Sequence, residues 1–182
     1  MATPIYSSLS SEAREIRLIL LAPAENRSDP INCELNIVSL DERPHYKALS
    51  YVWGNASDTS TIQVCSQDFE ATKNLEAAMR RIRDQKSPLI IWVDAICINQ
   101  KDIQERNSQV SMMRSIYKDA VEEVLAYLGK GNLTHNDNAF ETIIELGKDI
   151  NLHWNSSLEP LINPKHLRIV YLLDLLMFFK SA

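Results

Sequence analysis

The segment Leu89-Ile90-Ile91-Trp92-Val93-Asp94-Ala95-Ile96-Cys97-Ile98-Asn99-Gln100 constrains the fold of this chain more than any other. An apolar run with β-branched and aromatic members reads as a strand buried in the middle of a sheet. One carboxylate, Asp94, interrupts the run, and two amides close it. A charge at the end of such a strand is costly unless it is hydrogen-bonded, paired or in use. Ligands of open α/β sheets bind at the C-terminal ends of the strands. Asp94 is therefore either an anchor for the following loop or part of a site, and residue type and context favour the anchor.

With 182 residues, 45% of them hydrophobic, the chain suits one domain with a real core. Its formal net charge of -5 offers no general attraction for nucleic acid or an anionic membrane. Local basic density is confined to Arg80-Arg81-Ile82-Arg83, read as the solvated face of a helix. Cys33, Cys65 and Cys97 lie far apart, and no Cys/His ligand spacing occurs, so neither a disulfide framework nor a metal site is expected. A reducing, cytoplasmic setting fits that cysteine usage. Met1 to Ser11 lacks the order of a signal peptide. The longest apolar stretch, Ile169 to Phe179, is shorter than the about 20 residues a membrane span needs, and reads as a buried or amphipathic helix.

Glu15 to Ala22 and Cys33 to Leu40 alternate and predict two antiparallel strands joined by a loop. Tyr46 to Trp53 predicts a strand ending at Gly54-Asn55, and Thr61 to Val64 with Phe69 to Thr72 predicts a hairpin around Ser66-Gln67-Asp68. From Asn74, a candidate N-cap, the period becomes helical through Leu75, Ala78, Met79 and Ile82. A second helix starts after Lys101, with Asp102 as cap, Glu105 closing a capping box, and Ile103, Val110, Met113, Ile116 and Tyr117 facing inward. Val121 to Leu128 predicts the next strand, and a third helix carries Phe140, Ile143 and Ile144. Strands alternating with helices predict an α/β fold: a mostly parallel sheet flanked by helices, with an N-terminal antiparallel strand pair and a small hairpin insertion. Right-handed crossovers then bring Trp53-Gly54, Asp94 and Leu128-Gly129 to one rim.

With four glycines, the chain has neither a phosphate-binding Gly-rich loop nor a GxSxG elbow, and His45, His135, His153 and His166 pair with no obvious nucleophile. Cys97 reads as a small buried hydrophobe. Glu105 is explained by its cap, though it could also serve a site beside Asp94. Asp137, Glu141 and Glu145 lie around the start of the third helix, where Asn138 with Glu141 matches a cap pattern and a carboxylate could instead project over the rim. Trp53 and Trp92 read as core before ligand-stacking aromatics, and Asn99 as a group that satisfies backbone.

Two blocks resemble a known family. Tyr46-Lys47-Ala48-Leu49-Ser50-Tyr51-Val52-Trp53-Gly54 is similar to the first signature of the fungal heterokaryon incompatibility (HET) domain. Ile91 to Gln100, followed by Asp102, Glu105-Arg106, Gln109-Val110, Met113, Ile116-Tyr117, Ala120 and Leu128-Gly129, is similar to the second. The resemblance covers Arg17 to Gly129. A third, tryptophan-rich block normally follows an apolar helix like Leu167 to Phe179, so the chain resembles a HET domain shortened at its C-terminal end. The organisation expected is a tail at 1–14 and one domain at 15–182, with its core at 46–129 and an incomplete helical part at 137–182.

The resemblance implies a TIR-like or flavodoxin-like sheet and a role in fungal non-self recognition. There the domain promotes programmed cell death by self-association or by docking on other cell-death signalling proteins. A TIR-like enzyme would cleave the nicotinamide–ribose bond of NAD, which would be a substrate, with no cofactor needed. Under that reading Glu141, Asp94 and Glu105 are the candidate catalytic residues, and Trp53, Gly54 and Asn99 would line the NAD site. A carboxylate there would stabilise oxocarbenium-like charge. An inactive shortened paralogue is the remaining alternative, since the reacting glutamate could belong to the third block.

Overall fold

The computed structural model describes residues 5–120, 123–127 and 167–169. Among them are eight strands: β1 (Glu15–Leu21), β2 (Asn32–Ser39), β3 (Lys47–Tyr51), β4 (Thr59–Val64), β5 (Gln67–Thr72), β6 (Leu89–Trp92), β7 (Glu123–Tyr127) and β8 (Leu167–Ile169). Three α-helices join them: α1 (Lys73–Ile82), α2 (Asp94–Cys97) and α3 (Ile103–Lys118). The strands form one sheet in the order β5-β4-β2-β1-β6-β3-β7-β8. β6, β3, β7 and β8 are mutually parallel, which is the architecture expected for this half.

The sheet as a whole is mixed rather than mostly parallel. β1 runs antiparallel to both β2 and β6, β2 runs parallel to β4, and β4 pairs antiparallel with β5. The reason lies in β1, where Ile16, Arg17, Leu18, Ile19 and Leu21 are all buried. A strand covered on both faces has to sit in the sheet interior, with its backbone paired along both edges. The N-terminal strand pair and the hairpin are thus integral to the same sheet. The hairpin turn falls at Cys65-Ser66, one residue earlier than expected, because Gln67 and Asp68 already pair with Val64 and Gln63. Both turn residues have positive φ, 50° and 61°, as the twist of a tight two-residue hairpin requires.

Side chains at the helix ends depart from the sequence pattern in instructive ways. Thr72 caps α1, its hydroxyl accepting from the Leu75 N–H at 3.3 Å. Asn74, the expected cap, lies inside the first turn and donates from Nδ2 to the Val52 carbonyl at 3.1 Å. The buried face of α1 is Leu75, Ala78 and Met79, as the period predicted. Its basic cluster is more than a solvated face. Arg80 donates to the carbonyls of Arg27 and Asp29, both at 2.6 Å, and Arg83 donates to those of Asn26, Pro30 and their neighbours. These two guanidiniums clamp the β1–β2 loop.

On α3, Asp102 caps as expected, accepting from the N–H groups of Gln104 and Glu105 at 2.9 and 3.0 Å. Of the expected inward face, Ile116 is buried and Met113 and Tyr117 pack against the core, but Ile103 and Val110 are 63% and 53% exposed and Gln109 is buried instead. Gln109 is acceptable inside because its Nε2 donates to the Glu15 carbonyl at 2.9 Å. Leu167–Ile169, expected to open the final helix, instead extends β7 in parallel. A short apolar run carries no period that separates strand from helix, and the open edge of β7 offers backbone partners. The rest of that expected helix, and the third helix with Glu141, lie outside the described residues. Among the described residues no helix is long and apolar enough to cross a membrane.

The N-terminal stretch is tied down from Tyr6 onward. Its hydroxyl donates to the Ile96 carbonyl at 3.0 Å, and the Arg17 guanidinium lies 4.9 Å from the centre of its ring. Arg17, 1% exposed, grips both oxygens of Glu105 at 2.6 and 2.9 Å and also donates to the carbonyls of Cys97 (3.0 Å) and Ser7. Removing one member of such a pair strands a charge away from water. Arg17→Met is therefore expected to cost about 3–5 kcal/mol of folding stability in urea titrations, with the double change Arg17→Met/Glu105→Leu recovering much of it. Equal loss in both variants would show that the pair's charge is not what matters.

Candidate functional site

Parallel pairing of β3 with β6 sends both chains out of the sheet on the same side. β3 continues into Val52-Trp53-Gly54, and β6 into Val93-Asp94 at the start of α2. The two exits meet directly: the Trp53 indole N–H donates to Asp94 Oδ2 at 2.9 Å. Asp94 Oδ1 accepts from the Ala95 N–H at 2.7 Å. Behind them, the Gln100 side-chain amide donates to the Asp94 carbonyl at 3.0 Å and fixes the backbone of the turn. Asp94 thus ties the end of β3 to the turn after β6, and its side chain remains partly exposed.

Electrostatics at this rim are unusual. Burial pushes the Asp94 carboxyl above its ordinary value, and the bonds from Trp53 and Ala95 only partly offset that. The Tyr51 and Tyr117 phenols are raised by burial too, with the Asp94 charge adding to both shifts. Tyr117 donates to the Leu49 carbonyl at 3.2 Å and meets Trp92 edge to face at 5.4 Å. The Tyr51 hydroxyl and the Trp92 indole N–H are buried with no hydrogen-bond partner among the described residues. Neither tyrosine stands out in the sequence as a site residue; only the spacing of Tyr51 and Trp53 along one strand end hints at the first.

Trp92 is fully buried, but Trp53, expected in the core, is 43% exposed. It lies beyond the end of β3, where its N–H finds a carboxylate and the side chain remains partly exposed. Gly54 adopts φ +75°, and a Cβ there would stand 2.8 Å from Asn74 Nδ2. Its role is to let the rim loop pass against α1. Cys97 is buried, accepts from the Val93 N–H at 3.3 Å, and has its thiol pushed well up by burial, which makes it a structural group.

Two further candidate residues belong to one neighbouring network. The Asn99 N–H donates to Glu105 Oε1 at 2.7 Å, and Asn99 Oδ1 accepts from the Lys101 N–H at 3.2 Å. Glu105 does not close the expected capping box, since the Asp102 N–H is taken by the Asn99 carbonyl at 3.1 Å. Arg17 of β1, 88 residues earlier in the chain, claims that carboxylate instead. Asp94 with Trp53 and Gly54 forms the rim itself; Glu105 with Asn99 braces the turn behind it. Glu141 lies outside the described residues. Among the described residues no His, Cys, Asp and Glu groups converge as a metal site.

Replacing Trp53 by Phe removes a donor that lowers the Asp94 pKa, so the carboxyl should titrate still higher, as read by carbonyl-carbon NMR. Linkage follows the same sign. Because the folded pKa lies above the ordinary 3.8, Asp94 favours folding most in acid and loses that contribution as pH rises through the raised value. The stability gap between wild type and Asp94→Asn should therefore shift against wild type as pH rises from 3.8 through the raised value in urea titrations.

Residues 46–169, from the strand leading to Trp53 through the last described strand, match the family model described as heterokaryon incompatibility protein (HET). The chain is 32% identical over 155 residues to "Heterokaryon incompatibility protein 6, OR allele" of Neurospora crassa. That match covers 78% of this chain and 22% of the relative, so the chain spans about a fifth of that protein's length. No solved structure matches at a significant level. On the extent of the family match and the identity to a curated relative, this chain belongs to the heterokaryon incompatibility (HET) family.

Proposed function

We propose that this chain is a signalling module of fungal heterokaryon incompatibility, acting in the cytoplasm, and that its assembly with copies of itself or with other cell-death proteins provokes death of the fused cell. The observation that carries this reading is the family match over 46–169, together with a relative named for heterokaryon incompatibility. Exposed apolar side chains at Val52 and Trp53 on the rim, and at Ile103 and Val110 on α3, give association surfaces of suitable character. Expression in fungal cells should reduce viability, and light scattering should give a mass that grows with concentration. A strict monomer at high concentration whose expression leaves growth unchanged would remove the proposal.

A second reading is favoured by one feature, the Trp53–Asp94 pair at the ends of parallel strands. In a TIR-like or flavodoxin-like arrangement this rim is where a nucleotide would lie. The reaction would be hydrolysis of NAD: the C–N bond between ribose and nicotinamide breaks, nicotinamide leaves with the bonding pair, and water adds to the ribose carbon. Asp94, alone or with Glu141, would stabilise the oxocarbenium-like charge that develops. Glu105 would act at one remove, by holding Asn99 and the turn. Purified protein incubated with NAD should release nicotinamide, and Asp94→Asn should slow release by about 10²-fold or more. Release that survives both Asp94→Asn and Glu141→Gln would rule out this assignment.

A further inference from the structure

Among the described residues, no cationic side chain pairs with Asp94. The ion pairs among the described residues join Arg14 to Asp41 and Asp119, Arg17 to Glu105, Lys73 to Asp58 and Arg80 to Glu76. None reaches Asp94, and the titratable groups that face it are Tyr51 from β3, Tyr117 from α3 and Cys97 from α2, all uncharged. A carboxylate offers about four acceptor positions, and two are filled, by Trp53 and Ala95. The cost of desolvating the charge is thus only partly offset, at a place still partly open to solvent.

Trp53 completes the arrangement. Its N–H is spent on the carboxylate, in the plane of the ring, so what the 43% exposed indole still offers is its π face. That face attracts cations, and an indole is the best of the aromatic side chains at doing so. Nearby, the Tyr51 hydroxyl is buried and has no acceptor among the described residues. A carboxylate lacking a cation, an aromatic face beside it and an idle hydroxyl donor are complementary to one kind of ligand.

We infer that the rim between Trp53 and Asp94 seats a planar organic cation, its ring stacked on the indole, its charge against the carboxylate, and a carbonyl substituent accepting from Tyr51. This rests on the nucleotide-cleaving reading for the choice of probe, and it assigns the positively charged pyridinium carboxamide, not the neutral adenine, to this seat. The test titrates the full chain with 1-methylnicotinamide and with nicotinamide, the same ring with and without its charge. The reporter is the Trp53 indole N–H in proton–nitrogen NMR spectra, assigned by its loss in Trp53→Phe.

The cation should shift that signal saturably and bind about tenfold or more tightly than the neutral amide. The preference should vanish in Asp94→Asn, and in the unaltered protein it should fade on acidification as the carboxyl takes up its proton. The acid arm decides the matter even if the variant fails to fold. Equal affinity for the two probes, or no saturable shift with the cation, overturns the inference. Nicotinamide release from NAD, measured on the same sample, separates the two ideas. Charge selectivity without release keeps the seat and removes the hydrolase, whereas release without selectivity does the reverse.

Discussion

The bidentate pair between Arg17 and Glu105 is the constraint on which the rest of the structure depends. A guanidinium that is 1% exposed would cost several kcal/mol to desolvate, about the scale of a small domain's whole stability, if its donors were left unmet. Here the two terminal nitrogens are met by three separate segments, while Nε has no partner among the described residues. The side chain leaves β1, holds the first turn of α3 through Glu105, the end of α2 through the Cys97 carbonyl, and the N-terminal stretch through Ser7 and the ring of Tyr6. The geometry that makes this possible is the antiparallel pairing of β1 with β6. It brings the beginning of β1 to the place where β6 ends, so one side chain spans the turn that carries Asp94.

Around that hub the molecule divides its polar work in two. Behind the turn, Glu105, Asn99 and Gln100 satisfy backbone groups and hold position. On the rim, Asp94 and Trp53 satisfy one another only in part, and the Tyr51 hydroxyl beside them has no partner among the described residues. Natural proteins tolerate such incomplete satisfaction mainly where a ligand or partner completes it. The contrast between the two carboxylates, one matched on both oxygens by a guanidinium and one matched by N–H groups alone, separates brace from candidate site more sharply than residue type could.

The main expectations from sequence that failed were those in which a local pattern had a tertiary competitor. Asp102 and Glu105 have the spacing of a capping box, but a buried arginine is a stronger partner for a carboxylate than a backbone N–H, and Arg17 wins. Asn74 suits a cap, yet Thr72 takes that role because α1 begins directly after β5, at Lys73, which puts Asn74 inside the first turn. The basic run Arg80-Arg81-Ile82-Arg83 looked solvent-facing, and two of its members clamp loop carbonyls that no local pattern could reveal. On α3, apolarity alone favoured Ile103 and Val110 as inward positions, whereas Gln109 takes the buried place by reaching the Glu15 carbonyl.

By itself, the sequence determined the elements and their sidedness. The apolar run of β6 marks it as an interior strand, the change of period from Asn74 marks α1, and the order of strand and helix places Trp53 and Asp94 on a shared edge. It also determined the family, because two long motifs survive in order. Tertiary structure alone decided that the N-terminal strands and the hairpin join the same sheet, that Trp53 faces out while Trp92 faces in, and that Glu105 braces while Asp94 has no counter-charge among the described residues. The physical reason is common to all three. Periodicity and burial of apolar area are local and additive, so they can be read along a chain, but the partner of a buried charge or an unpaired strand edge is chosen among groups far apart in sequence, and only the folded arrangement brings them within bonding distance.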